Sequence, residues 1–425
     1  MDFFTIIPIV IFLLGYVLIT LEHKLPAHKS AIALALAAIL WILASLQLND
    51  KAKISHALHD AGAEVFGIVV FLLAAMSLVE ILNHYQFFNF IKTKLIQLKF
   101  SDKKQFIVIS WLTFFLSAVL DNLTVTIVMT QIACRFFKLP NLLVVTAGIV
   151  IAANAGGAFS PIGDVTTIMI WLAGKFTAME IISQIFLPSF VLTLVSSLLL
   201  VRQLKDTDAD VSELQTVRLS RGEKIVIGVC LLSFSFPLFM NGLGLQPYLG
   251  LLLGLGVVWQ LIEYAKRRSR NTTHLEANIE KLIQNTDIAS LKFFIGILLA
   301  VSALGTMGLL DSLSHFVFGP EQELNRVIIG NIFLGAFSAV IDNVPLTAIA
   351  LDLIHITDPS VWTLLAYCVG TGGSMLLIGS VAGVVAGGIV KELTFGKYLK
   401  IATIPAAVGY IAGILVWFLQ RGLIN

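Results

Sequence analysis

SAVLDNLTVT, residues 117–126, returns as SAVIDNVPLT at residues 338–347, with six of the ten positions identical. Each copy sets a carboxylate, Asp121 or Asp342, beside a carboxamide, Asn122 or Asn343, in the middle of an apolar run. An ionisable side chain at membrane depth costs at least about 2.5–3.5 kcal/mol unless a partner, a cation or a water-filled cavity receives it. The same cost at two matched positions points to a transport site built from a repeat.

The surroundings establish the membrane. Of 425 residues, 57% are hydrophobic and 13% charged, with a mean hydropathy of +0.92; a soluble domain carries about 25% charge. The fold class expected is an all-α polytopic membrane protein. The net charge of +2 says nothing about nucleic acid, but no basic cluster interleaved with aromatics appears, so no nucleic-acid partner is expected. The chain lacks a GxxxxGK[ST] phosphate loop, so ATP hydrolysis is not expected. No enzyme activity and no cofactor are expected. Cys134, Cys230 and Cys368 lie in apolar runs without CxxC spacing and read as buried structural thiols. The first run, 3–21, lacks a basic leader region and a small-residue cleavage site, so it reads as a retained span.

Segments long enough to cross the membrane fall at 3–21, 28–47, 63–82, 183–201, 223–241, 246–262, 291–310 and 401–419. Between 104 and 174, and again between 326 and 390, apolar character continues but is broken by Gly, Pro and paired polar residues. Basic residues place 83–105, 202–224, 263–292 and 391–400 in the cytoplasm, and the acidic 311–325 outside. Both termini then face the periplasm. Phe87–Leu98 has near-helical spacing of apolar and Lys residues and reads equally as a surface helix or an ordinary connector.

With this sidedness the first signature is entered from a basic, inner flank and the second from an acidic, outer one. Each reads as the tip of a re-entrant hairpin, and the pair as an inverted-topology repeat. A second matched pair follows in the same order: NAGGAFSPIGD at 154–164 and GTGGSMLLIGS at 370–380. The hairpin motifs are offset by 221 residues (338 − 117) and the glycine motifs by 216 (372 − 156). Glycines in such a run predict two broken helices, unwound at about 156–163 and 372–379. The chain divides into scaffold spans (1–62), a first repeat core (63–201, with hairpin 104–140 and broken helix 142–174) and a cytoplasmic loop (202–222). Further scaffold spans and a loop (223–290) lead to a second core (291–425, with hairpin 326–358 and broken helix 360–390).

A hard monovalent cation takes oxygen ligands, as other hard ions do. Each tip offers a carboxylate, an amide oxygen and the hydroxyls of Ser117 and Thr126 or of Ser338 and Thr347. Capping of free helix N–H groups is the competing role for the same Asp and Asn residues. Asp164, in PIGDVTT with Thr166 and Thr167, is a third buried carboxylate whose repeat mate is Ser380. The first half therefore reads as the more strongly cation-binding one, although Asp164 also reads as an N-cap. Asn154, Ser160, Ser374 and Ser380 are lesser candidates, since small polar residues also glue membrane helices together. Glu64 and Glu80 read as interfacial residues or proton relays, and His56, His59, His84, His315 and His355 fall near span ends. Gly250–Gly256 reads as a close-packing stretch.

SAVLDNLTVTIVM, NAGGAFSPIGDVTT, SAVIDNVPLTA and GTGGSMLLIGSVAGV together resemble the NhaD-type Na⁺/H⁺ antiporters of the ion transporter superfamily. The resemblance runs from about residue 60 to the C-terminus. It implies exchange of Na⁺ or Li⁺ for H⁺ across the bacterial inner membrane. It implies functional carboxylates at Asp121, Asp164 and Asp342, with polar partners Asn122, Asn154, Thr166, Thr167, Asn343, Ser374 and Ser380. More distant superfamily members imply a homodimer with an elevator-like transport domain. No role carries over to His56 or Glu64. On the same scaffold a Na⁺-coupled anion symporter or an arsenite-type exporter stays open, since fold alone does not select the cargo.

Overall fold

The computed structural model describes residues 3–20, 28–97, 100–205, 219–268, 286–310, 314, 318–319 and 322–424. All regular elements among them are helical, and eight helices are long and apolar enough to cross a membrane. The chain is a multi-pass, all-α membrane protein. Loop centres 206–218 and 269–285, and the turn residues 311–313, 315–317 and 320–321, lie outside the described residues. Arg218, Arg270, Lys281, Asp311 and Glu321, a part of the charge used above for sidedness, lie there with His315.

The chain opens with α1 (Phe3–Thr20), α2 (Lys29–Leu48), α3 (Lys51–His84) and α4 (Phe87–Gln97). Asp50 caps α3 by accepting the N–H groups of Ala52 and Lys53, both at 3.0 Å. At 1.5 Å per residue, the 34 residues of α3 outrun a hydrocarbon core of about 30 Å. Its first turns are accordingly polar and exposed.

A helical hairpin follows, α5 (Asp102–Ser117) and α6 (Asn122–Phe136), then α7 (Asn141–Ala158), α8 (Val165–Leu172) and α9 (Ala178–Val201). Four helices intervene: α10 (Arg221–Ser233), α11 (Phe236–Gly242), α12 (Tyr248–Arg268) and α13 (Ile288–Thr306). The pattern then recurs as α14 (Leu324–Phe337), α15 (Asn343–Leu353), α16 (Pro359–Gly372), α17 (Val381–Ile389) and α18 (Phe395–Ile424). The span expected at 223–241 is bent between α10 and α11, where Pro237 enters the first turn of α11. Proline has no N–H and crowds the preceding turn, so the α10 ladder cannot run through it.

Matched packing accompanies the matched order. Helix α5 lies on α7 and α14 on α16, while α9 and α18 pack on one another. The second arm of each hairpin crosses to the other half: α6 packs on α17, and α15 on α8. Polar groups at the breaks are thereby shared between the halves. Helix α7 is 94% buried, as a helix at the centre of a bundle is, and its mostly apolar surface carries the buried polar residues Asn141, Thr146 and Asn154. A cluster of rings seals its end: Phe114 stacks on Phe159 at 5.0 Å, and Phe186 and Phe190 close around them.

The glycines act differently from the expectation. Gly156 and Gly157 remain helical, and the unwound stretch is 159–164; in the second half a 3₁₀ turn over Gly373–Met375 leads into it. Close approach explains the glycines. A Cβ on Gly156 would collide with the backbone carbonyl of Phe114, and one on Gly372 with that of Gly335. Cys134 corrects another reading: it is exposed on α6, whereas Cys230 and Cys368 are buried.

Candidate functional site

Four half-helices begin at the two tips and the two breaks, and each has a polar N-cap. Asp121 accepts the Thr124 N–H on Oδ1 at 2.8 Å and the Thr124 hydroxyl on Oδ2 at 2.6 Å. Asp164 Oδ1 accepts the Thr166 N–H at 3.4 Å, Asp342 Oδ1 the Val344 N–H at 3.0 Å, and Ser380 Oγ the Gly383 N–H at 3.2 Å. Asp164 and Ser380 share an extended backbone, with φ, ψ of −140°, 143° and −142°, 152°. A helix N-terminus exposes unpaired N–H groups and a partial positive charge. That field supports a buried carboxylate where no Lys or Arg reaches. Capping and ion binding are therefore compatible uses of the same aspartates.

The amides tie the tips to the breaks. Asn122 Nδ2 donates to Asn154 Oδ1 at 3.2 Å, and Asn154 Nδ2 donates to Ser374 Oγ at 2.9 Å and Ser380 Oγ at 3.0 Å. A chain of neutral groups thus runs from the first tip, through α7, to the second break. In the other half, Asn343 Nδ2 donates to Asp164 Oδ2 at 3.4 Å. Asp164, which the sequence groups with the first signature, is therefore a partner of the second. Asp342 also lies within its electrostatic reach. Asn122 spends an N–H on Asn154 of α7 and Asn343 one on Asp164 at the first break, which leaves the amide oxygens of both free to serve as cation ligands.

The signature hydroxyls divide by role. Ser117 Oγ donates to the Ala153 carbonyl at 2.6 Å, and Ser338 Oγ to the Val369 carbonyl at 2.9 Å. Both pin a hairpin to its broken helix. Thr347 returns its hydroxyl to the Asn343 carbonyl, and Ser160 Oγ accepts the Ile162 N–H within the first break. Thr126 and Thr167 are fully buried, and their hydroxyls meet no hydrogen-bond partner among the described residues. Thr166 is also fully buried, beside Asp164. Carbonyls loosened at the second break are received by α18, since the Tyr398 hydroxyl donates to Ser374 O and the Thr403 hydroxyl to Met375 O. Irregular backbone persists at this depth only with such partners.

A cavity opens onto these groups. Asp121, Asn122, Asp164 and Asn343 line its polar side, and residues of α3 and α13, including Phe71, Met76 and Phe294, line its apolar wall. None of the lining residues is basic. The donor set is carboxylate and amide oxygen, which suits a hard monovalent cation as cargo. Two partners escape a sequence reading. Thr124 had its only signal inside the first signature, and Tyr16 of α1, whose hydroxyl accepts the Asp342 N–H at 2.9 Å, had none.

Other expected residues lie apart. Glu64 is exposed on α3 and interacts electrostatically with Lys175 and Asp352, away from the tips, and Glu80 is half-buried. His56 sits 2.8 Å from Asp60 on an exposed face, the His84 ring meets Tyr85, and the His355 N–H donates to Gln322.

The chain matches the citrate transporter family, CitMHS, over residues 16–362. It is 36% identical to Sodium/proton antiporter 2 of Arabidopsis thaliana, over 96% of this chain and 97% of that protein. Its identity to the Na⁺/H⁺ antiporter NhaD of Alkalimonas amylolytica is 32%, over 96% of this chain and 89% of that one. The chain belongs to the NhaD-type Na⁺/H⁺ antiporters, within the wider family of the citrate transporter model. Sodium/proton antiporter 1 of Arabidopsis thaliana, also 36% identical, matches over 97% of this chain and 72% of its own length. Members of this family are transporters, and their matches run through both signatures and both breaks.

Proposed function

We propose that the protein exchanges Na⁺, or Li⁺, for H⁺ by alternating access, with Asp121, Asp164 and Asp342 binding cation and proton in competition. The observation that carries this reading is the meeting of the halves: Asp164 of the first break holds Asn343 of the second tip at 3.4 Å, beside a cavity that Asp121 also lines. Cation binding needs ionised carboxylates, and a proton on one of them removes the charge that attracts the cation. An empty, charged site is costly to carry through hydrocarbon, so the site crosses loaded with one ion or the other. The two hairpins and broken helices are the moving unit, the flanking spans its frame, and the two access states near mirror images of an inverted repeat. The setting is the bacterial inner membrane, with both termini periplasmic and the protein a homodimer.

Everted vesicles loaded with a pH-sensitive dye test this. Added Na⁺ should collapse a preformed pH gradient with the wild-type chain and not with Asp164→Asn, which keeps a capping oxygen. A normal response from Asp164→Asn would sink the reading. The citrate transporter match favours a second one, Na⁺-coupled uptake of an anion. Two carboxylates on the cavity, Asp121 and Asp164, and no basic lining residue oppose it; radiolabelled citrate uptake driven by Na⁺ would establish it.

A further inference from the structure

Thr124 and Pro345 occupy the same place in the two signatures, three residues after the aspartate and at the third position of the helix it caps. Thr124 gives Asp121 two donors, a backbone N–H and a hydroxyl. Proline has neither, so α15 cannot hold Asp342 in this way. Proline also cannot reach back to the N–H of the capping residue. In α9 and α10 that reach is made from the third position, by Glu180 to Thr177 and by Glu223 to Ser220. At the second tip the N–H of the capping residue finds its acceptor on another helix. Tyr16, on α1, accepts the Asp342 N–H across 326 residues of chain.

We propose that Tyr16 is a positioning residue of the exchange site: it holds the second aspartate by its backbone N–H from outside the hairpin, whereas Thr124 holds the first by its carboxylate from within. This inference rests on the exchange reading above. Thr124 travels with Asp121 through any hairpin movement. Tyr16 belongs to α1, which packs on α2 and touches α13, so its hold lapses once the tip leaves hydrogen-bond reach. The two carboxylates therefore differ in kind: the geometry at Asp121 is constant, and that at Asp342 belongs to one arrangement of hairpin and frame. Removing the Tyr16 hydroxyl should loosen the tip in that arrangement and weaken cation binding there, without removing any ligand.

The test is Na⁺-dependent exchange by the full chain in everted vesicles, with half-saturation and maximum rate measured separately. Tyr16→Phe should raise half-saturating Na⁺ about fivefold, the scale of one net hydrogen bond, and leave the maximum rate within about twofold. Pro345→Thr, added to Tyr16→Phe, gives the second tip the local donors of the first and should bring half-saturation back toward the wild-type value. A role for Tyr16 in packing alone would not respond to a substitution on α15. Unchanged half-saturation in Tyr16→Phe, or a defect that Pro345→Thr does not relieve, overturns the proposal and leaves the exchange reading standing. If Tyr16→Phe alone fails to accumulate, the amount of the double variant in the membrane decides instead: recovery supports the proposal and continued failure overturns it. Absence of Na⁺-driven exchange in the wild-type chain would instead remove the reading beneath.

Discussion

Replacing Asn154 by alanine should disconnect the first tip from the second break. Asn154 is fully buried on α7 and takes part in three side-chain hydrogen bonds, at 3.2 Å to Asn122, 2.9 Å to Ser374 and 3.0 Å to Ser380. Polar bonds between membrane helices average about 0.6 kcal/mol each, so three account for about 2 kcal/mol. Asn122 Nδ2 also loses its acceptor in a buried place, at about 1–3 kcal/mol. Together these give a loss of about 3–5 kcal/mol. Thr146→Val is the control, because among the described residues the Thr146 hydroxyl, buried on the same helix, bonds only to Leu142 O one turn away. Its cost should stay under about 1 kcal/mol. Chemical unfolding of both variants in detergent micelles, followed by circular dichroism, measures the difference. If Asn154→Ala falls within about 1 kcal/mol of Thr146→Val, the polar chain between the halves contributes little, and the reasoning fails.

Three further outcomes are expected. Gly156→Ala should cost at least about 1–3 kcal/mol, since its Cβ meets the Phe114 carbonyl. Gly228→Ala, in open space on α10, should instead gain up to about 1 kcal/mol, and the same unfolding assay reads both. Ser117→Ala and Ser338→Ala should each lower stability by about 0.6–1 kcal/mol, because they remove equivalent pins at 2.6 and 2.9 Å; a large difference between them would show that the two halves do not share one packing scheme. If proton and cation compete for the same oxygens, acidification adds protons to the carboxylates and removes cation sites. Half-saturating Na⁺ should then rise as pH falls while the maximum rate holds, and a fall in maximum rate at constant half-saturation would exclude competition.

Residues that act on their own neighbourhood were legible in the sequence. Apolar runs of spanning length, the doubled Asp-Asn signature and the Gly-rich breaks follow from composition and spacing. Asp164 as a helix start follows from the residues next to it. The role of the glycines did not, because a glycine that interrupts a helix and one that admits a neighbouring carbonyl look alike in sequence. Gly156 proved to be the second kind, since Phe114 lies on an adjacent helix. Ser117 and Ser338 were legible as polar, not as pins, because their acceptors lie 36 and 31 residues away.

By itself, then, the sequence determined the membrane class, the repeat and which side chains bring charge into hydrocarbon, because hydropathy, periodicity and capping are local properties. Only the tertiary structure decided which of those side chains meet. Asp164 joins Asn343 across 179 residues, Asn154 joins Ser374 across 220, and Tyr16 joins Asp342 across 326. Each pairing depends on how α6 and α15 cross to the opposite half and on where α1 comes to rest. Contacts of a few ångströms set by helix packing leave no period or motif in the chain.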